Sequence, residues 1–151
     1  NYLTLLFREK LSNKEGVVAS ALLDGTRDIE RVGDHARDML VSVNYFIKKD
    51  IKFSETAQKE VDYMRDLVLK MIDLTIESLE KEDNIIGHEA LKICDEMYAL
   101  EKSTRKEHTR RMKDGECEIS AGVVYLDLTN HFVRACEHLR NILEKKLSGV
   151  L

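Results

Sequence analysis

Apolar residues recur every three or four positions through most of this chain, which is the period of a helix and not of a strand. The longest such series is Val18, Leu22, Gly25, Ile29, Val32, Ala36, Leu40, Val43. It predicts a helix over 14–48 that buries this seam. Ser12-Asn13 before it supplies an N-cap, and Lys48-Lys49-Asp50 ends it with cations at the negative pole of the helix. A second seam, Ala57, Val61, Met64, Val68, Met71, Thr75, Leu79, predicts a helix over 54–82 capped by Ser54. The cluster Glu80-Lys81-Glu82-Asp83-Asn84 is a polar turn. A third helix, 85–113, buries Ile86, Ala90, Ile93, Met97 and Leu100, and Asp114-Gly115 stops it. A fourth, 117–147, buries Leu128, Phe132, Ala135, Leu139, Ile142 and Leu143. Residues 1–12 read as the end of a preceding helix. Short connections make neighbours antiparallel, so the expected fold is an all-α, up-and-down bundle of long helices.

The first and last of these helices repeat one another. With an offset of 103 residues, Leu23, Asp24, Thr26, Arg31, His35, Arg37 and Leu40 fall on Leu126, Asp127, Thr129, Arg134, His138, Arg140 and Leu143. Asp34 falls on Glu137 and Asp38 on Asn141, which keeps their character, whereas Glu30 falls on Val133. Two related helical units follow from this duplication. The segment 51–151 holds three complete helices, and 1–50 is the remnant of a first unit, together forming one domain.

Charge changes the picture only locally. The chain has 151 residues, no Pro or Trp, 34% charged residues and a formal net charge of −4. Lys and Arg alternate with Asp and Glu instead of forming a stripe, which speaks against nucleic acid. No apolar run reaches the roughly 20 residues of a membrane span, so direct membrane insertion by this segment is not expected. The opening Asn-Tyr-Leu, without an initiator Met, reads as part of a longer protein whose remainder could carry membrane spans. Three cysteines without paired spacing, Cys94, Cys117 and Cys136, suit a reducing compartment. Cys94 and Cys136 sit on apolar stripes and are expected in the core, as are Met64, Met71, Met97 and Met112.

Candidate chemistry gathers beside the first seam. Asp24, Asp28, Arg31, His35 and Asp38 line one flank, and Glu30, Asp34 and Arg37 the other. Carboxylates on consecutive turns can share a metal ion or pair with arginines. Arg31 and Arg134 are expected to lock helices together through carboxylates. Gly33 is expected to allow close helix packing, and His35 and His138 to be partly buried polar groups in preference to ligands.

The stretch Ile29-Glu30-Arg31-Val32-Gly33-Asp34-His35-Ala36 resembles the Glu-Arg-Ile-Gly-Asp-His-Ala signature of the PhoU family of phosphate-uptake regulators. Cys94-Asp95-Glu96-Met97-Tyr98-Ala99-Leu100-Glu101 is similar to that family's acidic stretch ending in Leu-Glu. The resemblance implies tandem three-helix bundles, the first truncated here, and a non-enzymatic regulatory or interaction domain in phosphate transport. It also implies a multinuclear iron or zinc cluster, with Glu30 and Asp34 as carboxylate ligands. Glu137 matches the Asp position of the second motif, but Val133 cannot ligate; Asp127 and His131 on the other flank are the candidates to compensate. The implied partner is a membrane transporter or a membrane portion of the same protein, with a homodimer left open. The implied location is the cytoplasm, at the inner face of the cell membrane. The stretch from Phe53-Ser54 to Glu80 looks more like the cytoplasmic domain of a sodium/phosphate cotransporter than like a free-standing regulator, which is the alternative. A carboxylate-bridged di-metal enzyme is the reading from another class. It would use paired Glu-x-x-His motifs, and the sequence has none.

Overall fold

The structure is a computed structural model that describes Leu5 and residues 11–150. Apart from Leu5, the expected helical end at 1–12 lies outside the described residues up to position 10. Four helices follow in order: α1 (Asn13–Lys48), α2 (Glu55–Glu80), α3 (Asn84–Lys113) and α4 (Ile119–Leu147). This is the expected all-α, up-and-down arrangement. No helix among the described residues is long and apolar enough to cross a membrane.

Local chemistry sets the ends. Ser12 caps α1 in a capping box: its hydroxyl accepts from the Glu15 amide while Glu15 accepts from the Ser12 amide at 2.8 Å. Ser54 accepts from the Ala57 amide at the start of α2. Asp83, inside the polar turn, caps α3 by accepting from Ile85 and Ile86. Gly115, with φ at 76°, stops α3 as expected. The helix expected over 54–82 is shorter at both ends, and the one expected from 117 begins at Ile119. Asp83, by capping the next helix, takes up the turn that the longer α2 would have used.

Helices α2, α3 and α4 pack on one another, and α1 lies antiparallel along α4. The core is the seam of the three-helix unit: Ala57, Met64, Met71, Ala90, Cys94, Met97, Tyr125, Cys136 and Leu143 are all closed to solvent. Cys94 and Cys136 are therefore the small core residues expected of them. Met112 alone of the four expected core methionines is only partly buried. Gly122 lets α4 approach α3: a methyl there would overlap Met112 Sδ and stand 3.3 Å from His108 Nε2.

Three expectations fail. Most of the α1 seam is not buried: Val18, Leu22, Ile29, Leu40 and Val43 are exposed, with Ile29 at 63%, while Gly25 is buried and Val32 partly so. What α1 turns toward α4 is the flank carrying Asp24, Asp28 and His35, with Ala21 and Gly25 closing the gap. Gly33 lies on the open side, where a Cβ would meet nothing within 4 Å, so it permits no close packing here. Among the described residues Arg31 and Arg134 lock no helices together. Each pairs with the acid three residues on, Asp34 at 3.6 Å and Glu137 at 2.7 Å, because that spacing brings the two side chains together on one helix.

Candidate functional site

The junction of α1 and α4 carries the densest set of titratable side chains, and it is two-fold by construction. The helices run antiparallel and repeat one another with an offset of 103, so a contact between two positions is echoed by the contact between their repeat mates. Asp24 meets Lys145 at 3.9 Å, and the mates of that pair, Asp127 and Ser42, are hydrogen-bonded. Asp28 meets His138, and the mates of that pair are His131 and His35, also in contact.

In the first half, Asp28 is the centre. His138 Nδ1–H donates to Oδ1 at 2.9 Å, Asn141 donates to the same oxygen at 3.1 Å, and Lys145 donates to Oδ2 at 3.3 Å. Burial works against the Asp28 carboxylate, but these three donors outweigh it and hold its pKa below the ordinary range.

In the second half, two imidazoles face each other. His35 Nδ1 and His131 Nδ1 are 3.0 Å apart, with ring centroids at 5.3 Å, and the His138 ring stacks on His35 at 5.5 Å. Asp127 Oδ1 stands 3.6 Å from His131 Nε2. One Nδ1–H donates to the other ring's Nδ1, in roles set by the two tautomers. Burial, followed by the neighbouring imidazoles of His131 and His138, pushes the His35 pKa down, so the ring is neutral at neutral pH.

The four carboxylates singled out from the sequence are dispersed in their engagements. Glu30 is exposed. Asp34 is held by Arg37 at 3.1 Å and Arg31 at 3.6 Å, and Glu137 by Arg134. Asp127 accepts from Ser42. Among the described residues no group of three or more His, Cys, Asp or Glu is placed to hold a metal ion. As placed, the donor set does not fit a closed multinuclear cluster within these residues.

A second polar cluster escaped the sequence reading. Inside the three-helix unit Arg111 donates to both oxygens of Glu60, at 2.8 and 3.3 Å, and Tyr125 Oη donates to Glu60 at 2.8 Å. His108, 1% exposed, stacks on Tyr125 at 3.9 Å, and burial pushes its pKa down. The signal was present. Thr104, His108 and Arg111 continue the buried stripe of α3 beyond Ala90 and Met97 at the same spacing. Arg140, which bonds Asp95, is what joins α4 to α3 by charge.

The described geometry can be set beside known proteins. A family model described as PhoU domain matches residues 61–145, which is more than half of the chain and falls on α2, α3 and α4. The chain is similar to the phosphate-specific transport system accessory protein PhoU homolog 1 of Thermotoga maritima. The two are 23% identical over 124 residues, covering 82% of this chain and 53% of that relative. The chain thus spans about half the length of the curated relative it matches. No solved structure matches.

Proposed function

The chain belongs to the PhoU family, and we propose that it is a regulatory or interaction domain of a phosphate-transport system, working by helix-on-helix contact. The observation that carries this reading is the outward stripe of α1. Val18, Leu22, Ile29 and Leu40 are exposed, yet their repeat mates on α4 are Ala121, Tyr125, Phe132 and Leu143, which are buried under α2 and α3. An apolar stripe of that length is normally covered. By the repeat, its cover is a second pair of helices built like α2 and α3, which makes α1 the third helix of a first three-helix unit. Residues 51–151 are then the complete second unit of the same domain. The match to only about half of the relative's length supports this division.

The finer reading is the domain of a sodium/phosphate cotransporter held at the cytoplasmic face of the membrane, with the free-standing accessory regulator as the alternative. The relative's role in a phosphate-specific transport system supports both. The test is uptake of labelled phosphate by cells making the full-length protein with and without residues 1–151. Altered uptake, or lost adjustment to external phosphate, is the expected result. Unchanged uptake at equal protein levels would remove the reading. The iron or zinc cluster is a separate proposal and rests on Glu30 and Asp34. Elemental analysis of protein purified without chelator, beside the Glu30→Ala/Asp34→Ala variant, tests it: stoichiometric metal lost in the variant supports the cluster, and equal trace metal in both rejects it.

A further inference from the structure

We propose that the end of the three-helix unit, at the connection between α3 and α4, binds a small monocarboxylate, received by the Nε2–H of His108 and the N-terminal amides of α4. The site uses none of the carboxylates offered above as metal ligands and does not depend on the functional reading.

A cavity of about 280 Å³ opens there, between Lys52 and Phe53 of the α1–α2 connection, His108 of α3, and Glu116 and Cys117 of the α3–α4 connection. His108 is 1% exposed, and its ring is held in place. It stacks on Tyr125 at 3.9 Å, and Arg111 Nη2 lies 3.4 Å from its Nδ1. A guanidinium can only donate, so Nδ1 is the acceptor and the ring carries its proton on Nε2. That N–H finds no acceptor among the described residues. A buried donor without an acceptor is costly, and folded proteins leave few of them unanswered. Gly122 keeps the flank of this nitrogen clear, since a Cβ there would stand 3.3 Å from it. An acceptor entering through the cavity is what His108 lacks.

The backbone favours a negatively charged acceptor. Helix α4 begins beside the cavity, and its N-cap residue, Glu118, makes no side-chain cap bond. Ala121, three residues on, is buried and lines the cavity. Helix α2 begins there as well, at Ser54. The positive ends of helices of 26 and 29 residues thus meet at one cavity. Lys52 adds an exposed ammonium, 4.0 Å from Asp50. Two acids also border the space: Glu116, which lies 3.6 Å from Arg110, and the exposed Glu118. Beside them one negative charge is tolerated better than the two of a phosphate dianion. Phe53 and Ala57 supply apolar wall, which suits a short hydrocarbon tail.

The test is an NMR titration of the protein at neutral pH with sodium butyrate, butyramide and sodium phosphate, in wild type and His108→Phe. Butyrate is expected to shift His108 Nε2 and the Ser120 and Ala121 amides saturably in wild type. It is expected to bind roughly tenfold more weakly to His108→Phe, which keeps an aromatic ring on Tyr125 and loses the donor. Butyramide and phosphate are expected to bind more weakly than butyrate. No saturable shift in wild type, equal butyrate binding in His108→Phe, or butyramide or phosphate binding as tightly as butyrate would each overturn the proposal. Should His108→Phe fold poorly, the Cys117 thiol of wild type decides: saturating butyrate is expected to slow its labelling by a maleimide, and an unchanged rate would overturn the site.

Discussion

Removing the Glu60 carboxylate alone should cost more than replacing Glu60 and Arg111 together with apolar residues. The two side chains are 16% and 11% exposed, so the guanidinium cannot regain its water when its partner goes. Two N–H groups of Arg111 and the Tyr125 hydroxyl lose their acceptor in Glu60→Ala. Breaking a buried pair on one side costs about 3–5 kcal/mol, and the residual exposure places this one at the lower end, about 3 kcal/mol. In a chain of this length that is a fall in Tm of roughly 6–12 °C. In Glu60→Leu/Arg111→Met both charges leave and the volume stays, and such replacements are often neutral or stabilising. Urea unfolding of wild type, Glu60→Leu, Arg111→Met and the double at pH 7 gives the four corners of the cycle, with Glu60→Ala measured beside them. A loss below about 1 kcal/mol in Glu60→Ala, or single-variant losses that simply add in the double, would refute the claim that the pair is desolvated.

Asp28→Asn should destabilise by roughly 1–3 kcal/mol at pH 7, because charged hydrogen bonds from Lys145 and His138 are weakened. The folded Asp28 pKa is depressed, so its contribution is present above the unfolded value of about 3.9 and is lost as pH falls through the folded one. Unfolding free energies of wild type and variant should converge in that acid window. Gly33→Ala should raise stability by about 0.5–1 kcal/mol in thermal melts, since it sits in the interior of α1 with nothing near its Cβ. Gly122→Ala should lower it by roughly 1–3 kcal/mol, as the methyl displaces Met112 from the α3–α4 contact. Of the three thiols, Cys117 should react first with a maleimide in the native protein. Cys94 and Cys136 are closed to solvent, and burial pushes the Cys136 thiol up to about 12.

The number and order of the helices were legible because α2, α3 and α4 each bury one stripe at a period that no strand produces. The caps at Ser12 and Ser54 and the stop at Gly115 were legible because they are local chemistry. The facing of α1 was not. Its apolar seam is as regular as that of α4, and periodicity states which residues lie together without stating which partner covers them. His35 and His131 are 96 positions apart, so nothing local ties their rings. The Glu60–Arg111–Tyr125 cluster was legible in principle, since polar residues had taken stripe positions, and a reading that followed only apolar residues passed over it.

The duplication explains why the residues kept identical in both copies are largely not core residues. Asp24 and Asp127, and His35 and His138, lie on the flanks of the seam, while core positions have diverged, Ile29 against Phe132 and Leu22 against Tyr125. A core position in each unit packs against its own pair of helices, and each pair can repack independently as long as volume is conserved. A residue on the junction has no such freedom: it faces the other copy of the same motif, so one change alters a contact that its mate also defines. The junction is nonetheless no longer symmetric, because Ser42 stands against Lys145 and Asp38 against Asn141. Those two exchanges convert a self-neutralised carboxylate cluster into an imidazole pair flanked by acids. Restoring the twin's chemistry with Ser42→Lys should therefore stabilise the protein, by bringing an ammonium to Asp127. Thermal melts of wild type and Ser42→Lys check this, and an unchanged or lowered Tm in the variant would refute the claim that Asp127 lacks the cation that Asp24 has in Lys145.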